Sequence, residues 1–215
     1  MIPLRIDEVA ALASGEVEAA GGQDEISGVQ VDSRRISPGD LFVAVGRGVE
    51  FRDDALARGA AAALVPTDAF VALAALGAAV RQRSSARVVG ITGSTGKTIT
   101  KDLTAAVLGR RFRVVASPAS FNNEVGLPLT LLQADDRTEA VVCEMGSRGP
   151  GHIRLLCEVA APTVGVVTNV GEAHMELFGS PEALRDAKAE LPEALPAGRR
   201  SCRRSSRSSA TTSRS

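Results

Sequence analysis

The spacing of apolar and polar positions changes along this chain, and each change marks an element. IDEVAALAS, residues 6–14, predicts a short helix, and GVQVDSRRI reads as an extended piece. A turn at Pro38-Gly39 leads into the apolar run DLFVAV. DDALARGAAAALV starts at helical spacing and ends in a run that predicts a strand, and DAFVALAALGAAVRQRSSA predicts a second helix running into a polar linker at residues 83–86. From Arg87 the alternation becomes regular. RVVGIT, RVVAS, EAVVCEM and TVGVVTNV read as strands, while KTITKDLTAAVLGRR, GLPLTLLQA, GHIRLLCEVA and SPEALRDAKAELPEAL read as helices. Ser180 and Pro181 suit the cap and first turn of the last helix. Strands alternating with helices of this length predict right-handed crossovers onto a parallel sheet, so the expected fold class is α/β. The pattern divides into a small α/β unit over residues 1–85 and a parallel-sheet unit over residues 86–198.

Composition narrows the picture. Hydrophobic residues make up 44% of the 215, enough for a real core, but aromatics are only 3% with no Trp or Tyr, so that core is aliphatic and alanine-rich. No run of 18 uncharged apolar residues occurs, which predicts no membrane span. Asp7 and Glu8 stand where a secretion signal needs apolar residues, so a cytoplasmic protein is expected. Cys143, Cys157 and Cys202 are too few and uneven for a disulfide framework or a zinc site.

Formal charge sums to zero, from 25 basic and 25 acidic residues, but unevenly. Residues 199–215, RRSCRRSSRSSATTSRS, carry six arginines and no acid, which leaves 19 basic against 25 acidic residues elsewhere. The tail lacks apolar periodicity and reads as disordered. It suits either a basic arm for nucleic acid or a non-native end. The absence of aromatics and the acidity of the rest favour no nucleic-acid partner.

Three strand ends carry the candidate chemistry. After RVVGIT, residues Gly93, Ser94, Thr95 and Gly96 can turn the chain so that backbone N–H groups converge, and the helix from Lys97 adds its positive end. Lys97 supplies a point charge for outer phosphates and the Thr98 hydroxyl suits a Mg²⁺ ligand. The strict G-x-x-x-x-G-K-[ST] spacing is not met, because Ile91 stands five residues before Gly96; the shorter G-x-x-G-K-T remains. With a strand before it and a helix after it, nucleotide binding outweighs a plain glycine turn, and the second unit becomes part of a phosphate-loop, mononucleotide-binding domain. EAVVCEMGS delivers Glu144 at a second strand end, where open α/β sheets collect ligands; it is read as a Mg²⁺ carboxylate over a surface glutamate. TVGVVTNV carries Asn169 near its end, and past it come Gly171, Glu172 and His174, and then Lys188 in a helix. His174 follows a third strand end, His152 reads as structural or solvated, and Lys188 by itself reads as a solvated helix residue.

Taken together, GSTGKTITKDLTAAVL, SFNNEVGLPLTLL, EMGSRGPGHIRLLCEVAAPTVGVVTNVGEAHMELFGS and EALRDAKAEL resemble the Mur ligase family, and VDSRRISPGDLFVAVGRG resembles that family's UDP-sugar-binding domain. The resemblance runs from residue 1 to about residue 197. It implies an ATP-dependent amide ligase of peptidoglycan synthesis, in which a carboxylate becomes an acyl phosphate and an amine then attacks it. NNEVGLPLTLL with EMGSRGPGHI and AHMELFGS points within the family to UDP-N-acetylmuramoyl-tripeptide and D-alanyl-D-alanine as substrates, and to a monomer. By resemblance, residues from Gly93 to Ile99 cradle the ATP phosphates, Lys97 stabilises the transferring phosphoryl group, and Thr98 with Glu144 holds one Mg²⁺. His174 matches a position near a second Mg²⁺, and Lys188 matches a lysine that the family carbamylates to help that metal bind. Asn122 and Asn123 fall where the family lines the same cleft, and Asp32, Ser33 and Arg34 are candidate UDP-sugar contacts. Two departures stand out. VEFRDDALARGA lacks the family's usual Asp-Gly-His turn, and from Arg199 the family pattern stops. The expectation is a truncated ligase with an aberrant Arg/Ser tail and without the family's C-terminal ligase domain. The alternatives are another phosphate-loop ligase or kinase, resembling folylpolyglutamate synthase, and a non-catalytic nucleotide-binding fragment.

Overall fold

The computed structural model of the chain describes residues 1–171 and 178–196. In the first unit, β2 (Gly15–Ala19), β4 (Gly28–Gln30), β5 (Asp40–Val43) and β6 (Ala62–Pro66) form one sheet in the order β2-β6-β5-β4. β4, β5 and β6 run parallel and β2 closes the edge antiparallel to β6. A two-stranded ribbon pairs β1 (Leu4–Arg5) with β3 (Glu25–Ile26), and α1 (Ile6–Leu12), α2 (Arg52–Ala57) and α3 (Ala69–Arg83) complete the unit. In the second, β7 (Arg87–Thr92), β8 (Val114–Ala116), β9 (Ala140–Glu144) and β10 (Val164–Val167) form an all-parallel sheet in the order β10-β7-β9-β8. Its helices are α4 (Lys97–Leu108), α5 (Gly126–Leu131), α6 (His152–Ala160) and α7 (Pro181–Ala194). The chain is α/β, as its alternation predicts.

The central strands β7 and β9 are buried along nearly their whole length, as a continuous apolar run between helices requires. α3 starts where the Asp68 carboxylate accepts the N–H groups of Phe70 and Val71, and ends with Arg81 and Arg83 against the negative end of its dipole. α6 buries Ile153, Leu156, Cys157 and Ala160, an i, i+3, i+4, i+7 stripe.

α3 joins the two units. Leu73, Leu76 and Val80 belong to one continuous core with Leu4 and Val9 on one side and Leu127, Leu131, Ile153 and Leu156 on the other. Gly77 allows the close approach: a Cβ there would lie 3.1 Å from Pro128. The expected polar linker is a tight junction. α3 ends at Arg83, Ala86 is buried, and the Arg81 guanidinium donates to the carbonyls of Ala160, Ala161 and Ser84. Cys143 and Cys157 are buried thiols, both pushed up to about 12 mainly by burial, and so unreactive at neutral pH.

Some local readings need correction. GVQVDSRRI is not extended throughout: after Gln30, Ser33–Arg35 form a 3-10 turn capped by Asp32, whose carboxylate accepts the Arg34 N–H. A local side-chain acceptor here competes successfully with the sheet. β1, β2 and β3 have no apolar signal. In β2 only Val17 is even half-buried, so backbone pairing to β6 makes the strand. Among the described residues no helix is long and apolar enough to cross a membrane.

Candidate functional site

The turn between β7 and α4 takes a shape that two glycines permit. Gly93 has φ +147°, and a Cβ there would lie 1.9 Å from Thr168 Oγ1; Gly96 caps α4 at φ +78°. The far side of the loop is strapped to the end of β10. Asn169 Oδ1 accepts the N–H groups of Ser94 (3.1 Å) and Thr95 (3.0 Å), and Thr168 Oγ1 donates to the Thr95 carbonyl at 2.6 Å. Ser94 Oγ donates to the Gly171 carbonyl and accepts the Gly171 N–H. With those two loop amides taken, the N–H groups free of helical partners are the first-turn amides of α4, from Lys97, Thr98 and Ile99. They carry the positive end of the helix dipole, which suits an anion at this point. Ile99 can take part only through its backbone, since its side chain is 69% exposed. The Lys97 ammonium bends over the mouth of the loop, donating to the Gly93 carbonyl at 2.9 Å and the Ser94 carbonyl at 3.4 Å.

Glu144, at the end of β9, is only 1% exposed. Its Oε2 accepts the Thr98 hydroxyl and its Oε1 accepts the Asn122 amide, both at 2.8 Å. Its backbone N–H donates to Ser117 Oγ. A carboxylate and a hydroxyl beside that helix end form an oxygen-only donor set, and Mg²⁺ takes few protein ligands of that kind, completing its shell with water and phosphate oxygens. The chemistry of the donors therefore fits Mg²⁺ and a nucleotide polyphosphate. Asn123 lies beside Asn122, but its side-chain oxygen caps α5 by accepting the N–H groups of Gly126 and Val125.

A cavity of about 210 Å³ opens at this point, bounded by Gly93, Ser94, Lys97, Asn122, Asn123, Gly146, Ser147, Arg148, His152 and Lys188. Lys188 reaches it from α7, 5% exposed, with its ammonium 5.7 Å from the centre of the Phe178 ring. Burial first, and Lys97 second, lower its pKa to about 8, against a weaker opposing pull from Glu190. The solvated reading of Lys188 is thus overturned. A bare ammonium is no metal ligand, but a lysine held neutral is the form that reacts with CO₂. At pH 8 about half of the Lys188 amines are neutral, against about 0.4% for an ordinary lysine. Lys188 is therefore expected to react with cyanate far faster than the surface lysines, with a midpoint near pH 8, as read by peptide mass spectrometry. The stability effect has a definite sign. Burying the charged form destabilises the fold below about pH 8, and the cost disappears as pH rises toward 10.5, so Lys188→Met is expected to flatten that rise in a urea series.

Several wall residues lay outside the sequence expectation. His152, read as structural or solvated, faces the cavity. Its Nδ1 accepts the Arg148 N–H, and its Nε2 lies 2.9 Å from Glu124 Oε1, outside hydrogen-bonding geometry. Glu190 is buried on α7 and caps α6, accepting the N–H groups of Gly151 and Arg154, which fixes the 146–152 turn. The hint of that turn in the sequence is that GSRGPGH follows Glu144 after a single residue, Met145. His174 and Glu172 lie outside the described residues, as does the tail from Arg199.

Asp32, Ser33 and Arg34 are not in this cavity. They border a depression of about 520 Å³ with Phe42, Arg47, Phe51 and Asp54. Asp32 is held at about 2, first by the side-chain bond from the Arg34 guanidinium, which grips it through Nε and Nη2. Asp32 also borders a second cleft of about 430 Å³, whose wall includes Pro118 and Phe121 on the approach to Asn122. Val31 and Asp32 line both clefts.

The family model described as Mur ligase middle domain matches residues 91–203. The chain is 40% identical, over a 239-residue alignment, to the UDP-N-acetylmuramoyl-tripeptide--D-alanyl-D-alanine ligase of Mycobacterium tuberculosis (strain ATCC 25618 / H37Rv), covering 91% of this chain and 47% of that protein. It is 40% identical over 192 residues to the enzyme of that name from Bacillus subtilis (strain 168), covering 80% and 42%. Among solved structures, MurF from Acinetobacter baumannii superposes with a TM-score of 0.79 at 27% identity, covering 91% of this chain and 47% of that one. A MurF ligase from Thermotoga maritima in complex with ADP gives 0.69 at 34% identity, covering 78% and 43%. The chain spans about half the length of the curated relatives it matches.

Proposed function

The chain belongs to the Mur ligase family, and from that premise we propose that it serves an ATP-dependent amide ligation joining D-alanyl-D-alanine to UDP-N-acetylmuramoyl-tripeptide in peptidoglycan synthesis. The observation that carries the reading is Glu144 held between Thr98 and Asn122 beside the GSTGKT loop, directly behind the cavity that Asn122 lines together with Lys97 and Lys188. Bound ATP with Mg²⁺ supplies the phosphoryl group that turns a poor electrophile, a carboxylate, into an acyl phosphate with a leaving group. The first-turn amides of α4 hold the phosphates, and Lys97 faces the charge that builds on the transferring group. Thr98 and Glu144 would hold the cation; Lys188, once carbamylated, and His174 would help hold a second. Asp32, Ser33 and Arg34 belong to the part of the proposal in which residues 1–85 bind the nucleotide sugar and residues 86–198 bind ATP. The clefts bordered by Asp32 support that division, because they suit a long substrate with its sugar nucleotide at one end and its reacting carboxylate at the other. A cytoplasmic monomer working without nucleic acid belongs to the same proposal.

The test is release of the ATP γ-phosphate by the purified chain with UDP-N-acetylmuramoyl-tripeptide, D-alanyl-D-alanine and Mg²⁺. Release that needs both substrates and is lost in Lys97→Ala supports the ligase. Release driven equally well by a folate-type carboxylate, or nucleotide binding with no affinity for the muramoyl tripeptide, refutes it.

A further inference from the structure

Lys101 lies on α4 one turn beyond Lys97, and it is 2% exposed. A lysine is almost never buried to that degree without partners for its charge. Here the charge has partners on three sides: Nζ donates to the Ser117 carbonyl at 2.7 Å and the Ala119 carbonyl at 2.9 Å, and forms an ion pair with Asp102 Oδ1 at 2.9 Å. Buried and partnered within the chain, this lysine acts on the chain itself.

The two carbonyls belong to the segment that follows β8. Ala119 sits there at φ +46°, a left-handed conformation that costs an alanine energy and persists only where neighbours hold it. The same segment governs Glu144 from two directions. Ser117 Oγ accepts the Glu144 N–H and is itself bonded by Thr130 Oγ1. A few residues on, Asn122 donates its amide to Glu144 Oε1 and accepts the Gly146 N–H on its carbonyl. Glu144 Oε2 returns to α4 through Thr98. Helix, segment and strand end form a closed circuit, and Lys101 is the tie that fixes the segment to the helix.

We propose that Lys101 is a positioning residue for cation binding: by anchoring residues 117–122 to α4 it holds Asn122 against Glu144 and aims the carboxylate at the cation beside Thr98. The proposal rests on the phosphate-loop reading above. Partners that orient a metal-binding carboxylate typically change metal affinity by about 10–100-fold when removed.

The experiment measures ADP binding by calorimetry with and without Mg²⁺, using wild-type chain and Lys101→Met, which keeps an apolar stem. The gain in ADP affinity on adding Mg²⁺ is expected to shrink about tenfold in Lys101→Met. Mg²⁺-free affinity, set by Lys97 and the α4 amides, should change less than about twofold. Asn122→Ala should show the same loss, and the double variant no further loss, because both act through one carboxylate. Should Lys101→Met fail to fold, Lys101→Gln retains polar donors and is read by the same split. A Lys101 variant that keeps the full Mg²⁺ gain overturns the proposal. So does one that lowers both affinities in parallel, which marks a merely structural lysine. Absence of ADP binding in the wild-type chain would instead sink the phosphate-loop reading.

Discussion

Glu144→Ala is expected to remove the Mg²⁺-dependent part of nucleotide binding almost entirely, a loss of about 10²-fold or more. Glu144 is the carboxylate beside the first turn of α4, 1% exposed and held by Thr98 and Asn122. In partly buried surroundings a unit charge about 4 Å away contributes about 4 kcal/mol, and a divalent cation doubles the Coulomb term before desolvation is subtracted. A 10²-fold change needs only about 2.8 kcal/mol. The first-turn amides and Lys97 are untouched, so Mg²⁺-free ADP should still bind. Calorimetric titration of ADP at a series of Mg²⁺ concentrations checks this. An unchanged Mg²⁺ gain would show that the cation is held elsewhere.

The second large effect concerns stability. Leu76→Ala is expected to destabilise the chain by about 2–5 kcal/mol, the range for emptying a buried leucine site. For a chain of this size that lowers the melting temperature by roughly 5–15 °C. Leu76 is 0% exposed on α3, within the core that runs from Leu4 and Val9 to Leu127 and Ile153. The cavity would therefore weaken both sheets' support together, and scanning calorimetry should show one transition that shifts as a whole. A second transition left in place by the substitution would mean that residues 1–85 and 86–198 unfold independently.

How much of this was readable beforehand depends on sequence distance. The phosphate loop was legible because Gly93, Gly96, Lys97 and Thr98 lie within six residues between a buried strand and a helix, and glycine and helix-end chemistry act at that range. Glu144 was legible as the polar end of an apolar run. β2 was not, because GEVEA has little to bury and becomes a strand only by pairing with β6. The strapping of the loop by Asn169, 75 residues from Ser94, left no local trace, nor did the capping of α6 by Glu190, 36 residues from Arg154. Lys101 looked like any helix lysine, since its burial depends on where the 117–119 carbonyls come to rest.

The sequence by itself determined the α/β alternation, the glycine turn with its cationic and hydroxyl side chains, and the family, because periodicity, turn chemistry and motif spacing are properties of neighbouring residues. Only the tertiary structure decided that α3 welds the two units into one core, that Lys188 is a desolvated amine beside Lys97, and that His152 faces the cavity. Burial and the pairing of distant polar groups depend on which segments meet in space, and that is set by the packing of the whole chain.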